Sequence, residues 1–163
     1  MWLVTVLVAV AVAAGAAFML VRLRRRLVVV TVDGLSMAPT FGSGDRVLVR
    51  RMPAAMIRAG QVVVVEKPGI DRRWKTPEVD HDVHRRRWMI KRAVAAPGDA
   101  VPGDSLPEHV DGAGGRVPDG MLVLLGDNRE DSFDSRQVGY FPADRLLGVA
   151  VRRLSAGAGR GSS

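Results

Sequence analysis

The chain has 163 residues, 47% of them hydrophobic, which suffices for one domain of ordinary size with a real core and short appendages. It contains no cysteine, which excludes a disulfide scaffold, a thiolate nucleophile and cysteine-ligated zinc. The net charge of +7 is carried almost entirely by arginine. It indicates an anionic partner, either nucleic acid or a lipid surface, unless it reflects a general compositional bias toward arginine.

The first segment is apolar or small from Trp2 to Val21, with Thr5 as its only polar side chain. At about 1.5 Å per residue, such a helix is roughly 30 Å long, which matches the hydrocarbon core of a bilayer. A cleavable signal peptide would have basic residues before a shorter apolar run, whereas here arginines 22 and 24–26 follow it. We therefore predict a transmembrane anchor with a basic collar over residues 1–26. The positive-inside rule would place this collar, and all that follows, in the cytoplasm.

From residue 27 onward, short β-branched runs alternate with turns rich in Gly, Pro and Asp, and no long helical period interrupts them. Strands are predicted at Leu27–Val32, Arg46–Val49, Gln61–Val65, Trp88–Ile90, Met121–Leu125 and Leu146–Val151, with one or two helical turns within Pro53–Ala59. The pattern predicts a mainly β fold: a compact β module, either a sandwich or a partly closed barrel, over residues 27–154, behind the single N-terminal helix.

Three other segments carry no assigned chemistry. Residues 71–87 are dense in charge and contain His81 and His84, but without further ligands a solvated loop is favoured over a metal site. Residues 99–120 are interpreted as a surface connection around His109. Residues 155–163 are predicted to form a disordered tail.

The loop between the first two predicted strands reads Gly34-Leu35-Ser36-Met37-Ala38-Pro39-Thr40. A serine hydroxyl is a weak nucleophile, so it needs a base within hydrogen-bond reach and backbone amides that face the developing oxyanion. Gly34 permits a close approach of the backbone to a bound chain, and Pro39 stiffens the exit from the loop. Taken alone, such a loop is more often an ordinary Gly/Pro turn, and the sequence downstream is what favours Ser36 as a nucleophile.

A second informative stretch runs from Lys91 to Asp99 and places Lys91 between the apolar segments Trp88-Met89-Ile90 and Ala93-Val94. Burial disfavours the ammonium form of lysine. Documented shifts bring the pKa of buried lysines from about 10.4 to roughly 5–6, so a neutral amine that acts as a general base is feasible near pH 7. By itself, the segment favours a structural lysine that reaches the surface or pairs with an acid.

A third stretch, residues 126–139, is densely polar although it follows an apolar strand, so its side chains must hydrogen-bond to one another. Together with Ser36 and Lys91, it resembles the type I signal peptidases. The resemblance covers four motifs in family order behind an N-terminal apolar segment. They are Ser-Met-x-Pro-Thr at Ser36–Thr40, Gly-Asp-x-Val-Leu-Val at Gly44–Val49, Lys-Arg with Pro-Gly-Asp at Lys91–Asp99, and Gly-Asp-Asn with Ser-x-Asp-Ser-Arg-x-x-Gly at Gly126–Gly139.

The resemblance implies a membrane-bound Ser/Lys endopeptidase that removes signal peptides from exported preproteins and needs no metal or cofactor. By position, Ser36 matches the nucleophile, Lys91 the general base, and Ser132 the serine whose hydroxyl orients the lysine amine. The oxyanion hole would be the Ser36 backbone amide. Some family members add a serine hydroxyl two residues before the nucleophile, whereas this chain has Gly34 there.

The resemblance also implies structural ion pairs. Asp134 and Arg136 match a buried pair that holds the last motif, and Asp127 with Arg92 is expected to form a similar pair. Ala95 stands where the family usually has glycine, and the extra methyl should be tolerated. The chain has no room for the large inserted domain of some relatives.

The expected partners are preproteins with Ala-x-Ala type cleavage sites and the lipid bilayer, with no nucleic acid. A precursor would lie as an extended strand beside a sheet edge near Ser36. Because such cleavage sites emerge outside the cytoplasm, the resemblance places the catalytic domain on the extracytoplasmic face of the cell membrane, against the positive-inside rule. The alternatives are an intracellular Ser/Lys self-cleaving regulator, a pilus-processing or plasmid-transfer peptidase of the same group, and an inactive membrane-tethered binding domain.

Overall fold

The computed structural model describes residues 2–69, 88–108, 110 and 115–155. The charged segment 71–87 with its two histidines, His109 and all but the first residue of the predicted tail lie outside the described residues. The predictions made for them stay predictions.

The N-terminal apolar segment forms helix α1, Trp2–Arg25, as its uninterrupted run of apolar residues predicts. Of the side chains that the structure describes in this helix, large ones such as Trp2, Leu7 and Phe18 are exposed. Within the described part of the chain, no helix meets the combined length and apolarity needed to cross a membrane. The transmembrane anchor therefore stays a prediction.

The rest of the described chain is mainly β, which confirms the predicted class. The strands are β1 Leu27–Thr31, β2 Arg46–Arg50, β3 Val62–Glu66, β4 Trp88–Ala95, β5 Met121–Leu125, β6 Phe141–Pro142 and β7 Leu146–Ser155. Helical elements are α2, Ser135–Val138, and short 3₁₀ turns at Ala54–Met56 and Ala143–Arg145. All strands join one antiparallel sheet in the order β1-β2-β7-β3-β4-β5-β6.

Bulges bend this sheet. The register shifts between β2 and β7, between β3 and β7, and between β4 and β5. An extra residue on one strand increases the local twist and kinks the strand, so the sheet curves around its core. The predicted module is therefore a single bent sheet, and β1 and β6 lie at its two ends.

The central strand β3 is buried on both faces, because Val63, Val64 and Val65 are all fully buried. This explains its unbroken valine run, since a strand with only one covered face would alternate apolar and polar residues. Val63 and Val65 pack in one core cluster with Leu122, Leu124 and Phe141. On the other face, Val64 packs with Met37 of the serine-containing loop, so the core reaches this loop directly.

Candidate active site

The loop that carries Ser36 connects β1 to β2 and is anchored in the core by Met37. The Met37 side chain is fully buried, whereas Ser36 before it is half-buried. Two turn hydrogen bonds stiffen the loop: the Ala38 amide donates to the Leu35 carbonyl at 3.0 Å, and the Phe41 amide donates to the Met37 carbonyl at 2.8 Å. With one neighbour in the core, Ser36 has little freedom to move.

Lys91 lies within β4 and is only 2% exposed. Side chains alternate along a strand, so Lys91 shares its face with the buried Ala93. Its Nζ lies 2.6 Å from the Ser36 Oγ, within hydrogen-bond distance. The structure thus joins two side chains 55 positions apart that the sequence predicts to act together.

Burial lowers the pKa of Lys91 from 10.5 to about 8, because the amine loses the water that would stabilise its charge. The Asp134 carboxylate opposes this effect and raises the pKa, while Lys67 and Arg136 lower it further. With a pKa of about 8, roughly a tenth of the amine is neutral at pH 7, against less than a thousandth at 10.5. At pH 7, a usable fraction of the protein therefore holds a proton acceptor beside the serine.

The third stretch packs directly against the serine loop. The Asn128 amide donates to the Ser36 carbonyl at 3.0 Å. Gly126 fills the space between that carbonyl and Ser132: a Cβ at Gly126 would lie 2.5 Å from the Ser36 carbonyl oxygen and 2.1 Å from the Ser132 Oγ. Only glycine fits there, so this position controls how closely Ser36 and Ser132 approach each other.

Asp134 organises the last motif and is completely buried. It forms a two-point ion pair with Arg136, at 3.0 Å from Nε and 2.8 Å from Nη2, and it accepts from the Gly126 amide at 2.8 Å. It also caps α2. Although burial alone would raise the pKa of Asp134, the hydrogen bonds from Gly126, Ser132 and Arg136 keep it below its usual value. The carboxylate is thus ionised and fixed near Lys91.

Ser132 is buried beside this carboxylate, and its hydroxyl donates to Asp134 Oδ2 at 2.5 Å. Between the side chains of Ser132 and Lys91, the described residues show no hydrogen bond. Ser132 instead contacts Asp134, whose charge raises the pKa of Lys91. A direct contact that orients the amine stays a prediction.

Arg92 and Asp127 connect the three stretches. The guanidinium binds both carboxylate oxygens, at 2.8 and 2.7 Å, and donates to the Gly60 carbonyl at 2.8 Å. The Thr40 hydroxyl donates to Asp127 at 2.5 Å. These hydrogen bonds, that from Arg92 above all, lower the pKa of Asp127. Arg92 follows Lys91 in β4, and Thr40 lies four positions after Ser36. The hydrogen bonds of Arg92 and Thr40 to Asp127 therefore align β4 with the loop that carries Ser36.

The family model for signal peptidase, peptidase S26, matches residues 1–112 and 103–154 of this chain. The chain belongs to the signal peptidase S26 family. It is 28% identical over 137 residues to a probable signal peptidase I-1 of Synechocystis sp., covering 73% of this chain and 66% of the relative. Signal peptidase I of Bacillus caldolyticus is 25% identical over 150 residues, with 72% and 73% covered.

A plastid relative also matches. Probable thylakoidal processing peptidase 2 of Arabidopsis thaliana is 29% identical over 141 residues, covering 76% of this chain and 36% of the relative. The chain spans 66% and 61% of the length of the two Synechocystis relatives, the probable signal peptidases I-1 and I-2.

Within this S26 chain, Gly34 has a positive φ of 90°, a conformation that glycine adopts freely. Its amide lies 3.4 Å from the Ser43 Oγ, and an added Cβ would meet open space. The motifs themselves give no role to Thr40, Gly126 or Asn128. All three residues stand inside the motifs, so the motifs point to these positions, but the contacts that they make are visible only in the fold.

Proposed function

We propose that this chain is a membrane-bound serine endopeptidase that cleaves signal peptides from exported preproteins through a Ser36/Lys91 dyad, with residues 27–154 as its peptidase domain. The observation that carries the proposal is the 2.6 Å contact between Ser36 Oγ and a buried lysine amine in a chain of the signal peptidase family. A structural lysine would extend to water or pair with an acid. Lys91 instead ends on a hydroxyl.

The proposed reaction starts with neutral Lys91. Its amine accepts the Ser36 proton as Oγ attacks the scissile carbonyl, and the resulting ammonium then protonates the departing amine of the mature protein. The amine, neutral again, takes a proton from water, which hydrolyses the ester to Ser36. The Ser36 backbone amide is the proposed donor to the oxyanion in both steps.

The surrounding ion pairs hold the dyad in place. The Asp134 carboxylate lies close enough to raise the pKa of Lys91 and stabilises the ammonium that forms during each proton transfer. Arg92, Asp127 and Thr40 fix the loop relative to β4. A geometry set before the substrate arrives avoids the entropic cost of assembling it.

The substrate is proposed to bind as an extended chain along β1, which lies at one end of the sheet and ends five positions before Ser36. In an extended chain, the first and third residues before the cut point toward the same surface. Shallow pockets beside β1 would accept only small side chains there, alanine above all.

Attachment to the membrane is proposed through α1. The apolar side chains that the structure describes in this helix, such as Trp2, Leu7 and Phe18, are exposed, as expected for a helix that contacts lipid. The catalytic domain is proposed to lie on the extracytoplasmic face, where signal peptides emerge.

The experiment compares wild-type protein with Ser36→Ala, using detergent-solubilised full-length chain and a labelled preprotein. Wild-type protein should release the mature domain, and Ser36→Ala should release none. Ser155→Ala, a serine at the exposed end of β7, is the matched control and should process normally. Processing by Ser36→Ala at the wild-type rate would overturn the proposal.

A further inference from the structure

The last strand, β7, reaches back to the loop that carries Ser36 through Arg153. The Arg153 Nη2 donates to the Thr40 carbonyl. Its Nε lies 3.2 Å from Asp45 Oδ2, and its Cζ lies 5.2 Å from the centroid of the Phe41 ring. One side chain therefore contacts a carbonyl, an aromatic face and a carboxylate within six consecutive residues.

The Asp45 carboxylate that Arg153 contacts is itself held in place. The Asp45 side chain is only 5% exposed and accepts from the Gly42 amide at 2.9 Å. The Asp45 carbonyl accepts from the Val32 amide at 2.8 Å, where β1 ends. Although exposed ion pairs contribute little, a charged pair on a buried carboxylate loses less to solvent screening. Arg153 thus binds the loop at two points, at Asp45 where the loop ends and at Thr40 nearer to Ser36.

Thr40 is the point where this contact meets the catalytic network. Its hydroxyl is bound by Asp127, and its carbonyl by Arg153. With both its hydroxyl and its carbonyl held, Thr40 cannot shift freely without weakening one of these contacts. The exit of the loop is fixed four positions after Ser36.

We propose that Arg153 is a positioning residue that holds the exit of the Ser36 loop and thereby keeps the Ser36 Oγ within reach of Lys91. The inference rests on the proposed function. Arg153 acts through geometry, because the charges that set the pKa of Lys91 are Asp134, Lys67, Arg136 and Asp127. Loss of Arg153 should therefore lower kcat and leave the pH dependence unchanged.

The test compares Arg153→Ala with Arg152→Ala in the detergent-solubilised full-length chain. Arg152 is the adjacent residue of β7, is exposed and pairs in register with Leu48, so its loss removes the same charge without touching the loop. Three quantities are measured: kcat and KM for a labelled preprotein, the acid limb of kcat/KM, and amide hydrogen exchange over residues 36–45.

Arg153→Ala should lower kcat about 10-fold with little change in KM, a smaller loss than the roughly 100-fold known for a 1 Å misplacement. The acid limb should not move, and exchange at residues 36–45 should be faster than in wild-type protein. Arg152→Ala should match wild-type protein in all three. Arg153→Lys should lie in between, since an ammonium can reach Asp45 but does not reproduce the planar fork.

Equal kcat and equal exchange in Arg153→Ala and Arg152→Ala would overturn the proposal. If Arg153→Ala does not fold, Arg153→Lys decides: reduced kcat with faster exchange supports the role, and wild-type values refute it. If wild-type protein itself processes no preprotein, the proposed function fails, while hydrogen exchange still tests whether Arg153 holds the loop.

Discussion

Replacing Lys91 with methionine should make the protein more stable at pH 7 while abolishing its activity. Methionine has a similar length and volume but no charge, so the substitution removes the cost of burying an ammonium. Folding lowers the pKa of Lys91 from 10.5 to about 8, a difference that corresponds to about 3 kcal/mol at ~1.36 kcal/mol per pKa unit. Subtracting about 1 kcal/mol for the lost hydrogen bond to Ser36 leaves a gain of about 2 kcal/mol.

The sign of the pH dependence follows from the same numbers. Between pH 8 and 10.5 the unfolded chain keeps the Lys91 proton that the native protein has lost, so wild-type stability gains from this group as the pH rises. The advantage of Lys91→Met should therefore be largest below pH 8 and shrink toward pH 10.5.

Urea unfolding of the detergent-solubilised chain at pH 7 and pH 9.5, followed by tryptophan fluorescence, measures this difference. Trp88 at the start of β4 lies three positions before Lys91 and should report on its surroundings. Lys67→Met removes the same charge from an exposed position and should change stability little. A Lys91→Met protein no more stable than wild type at pH 7 would refute the claim that burial depresses the lysine pKa.

Three further predictions concern activity. The acid limb of the kcat/KM profile should have an apparent pKa of about 8, and below this pH the value of kcat/KM should fall about 10-fold per pH unit, because only neutral Lys91 accepts the Ser36 proton. An acid limb with an apparent pKa near 10.5 would contradict this prediction. Gly126→Ala should cut turnover by roughly 100-fold or more, because the added Cβ would collide with Ser132 and the Ser36 carbonyl. The control is Gly103→Ala, whose added Cβ has no atom near it, and this variant should process preprotein normally. Equal processing rates of the two variants would disprove the collision. Preproteins with bulky residues at both the first and third positions before the cut should be cleaved far more slowly than those with alanine, and equal cleavage rates would argue against shallow pockets beside β1.

The sequence predicts the strands well where apolar residues are continuous. β5 was predicted at its observed bounds, and α1 follows directly from its apolar run. β4 extends five positions beyond the predicted end at Ile90, because Lys91 and Arg92 are strand residues whose charge interrupts the apolar pattern. β7 likewise continues four positions beyond Val151. In both strands, the residues beyond the predicted end include side chains that contact the site, namely Lys91 and Arg92 in β4 and Arg153 in β7.

Contacts between distant stretches are harder to predict. The pairing of Asp134 with Arg136 and of Asp127 with Arg92 was expected from the family motifs, and both pairs are present as close ion pairs. α2 and β6 were not predicted, since four and two residues are too short to show a period. Arg153 stands in no motif, and its contact with Thr40 spans 113 positions, so only the fold reveals it.

The most direct test of the account is preprotein processing by Lys91→Arg. Arginine keeps the charge and nearly the length of lysine, but its guanidinium does not lose its proton in proteins and cannot accept one from Ser36. Lys67→Arg and Lys75→Arg, made at the other two lysines of the chain, are the controls and should process normally. We predict a folded Lys91→Arg protein that releases no mature product, whereas processing at the rate of the controls would contradict the Ser/Lys mechanism.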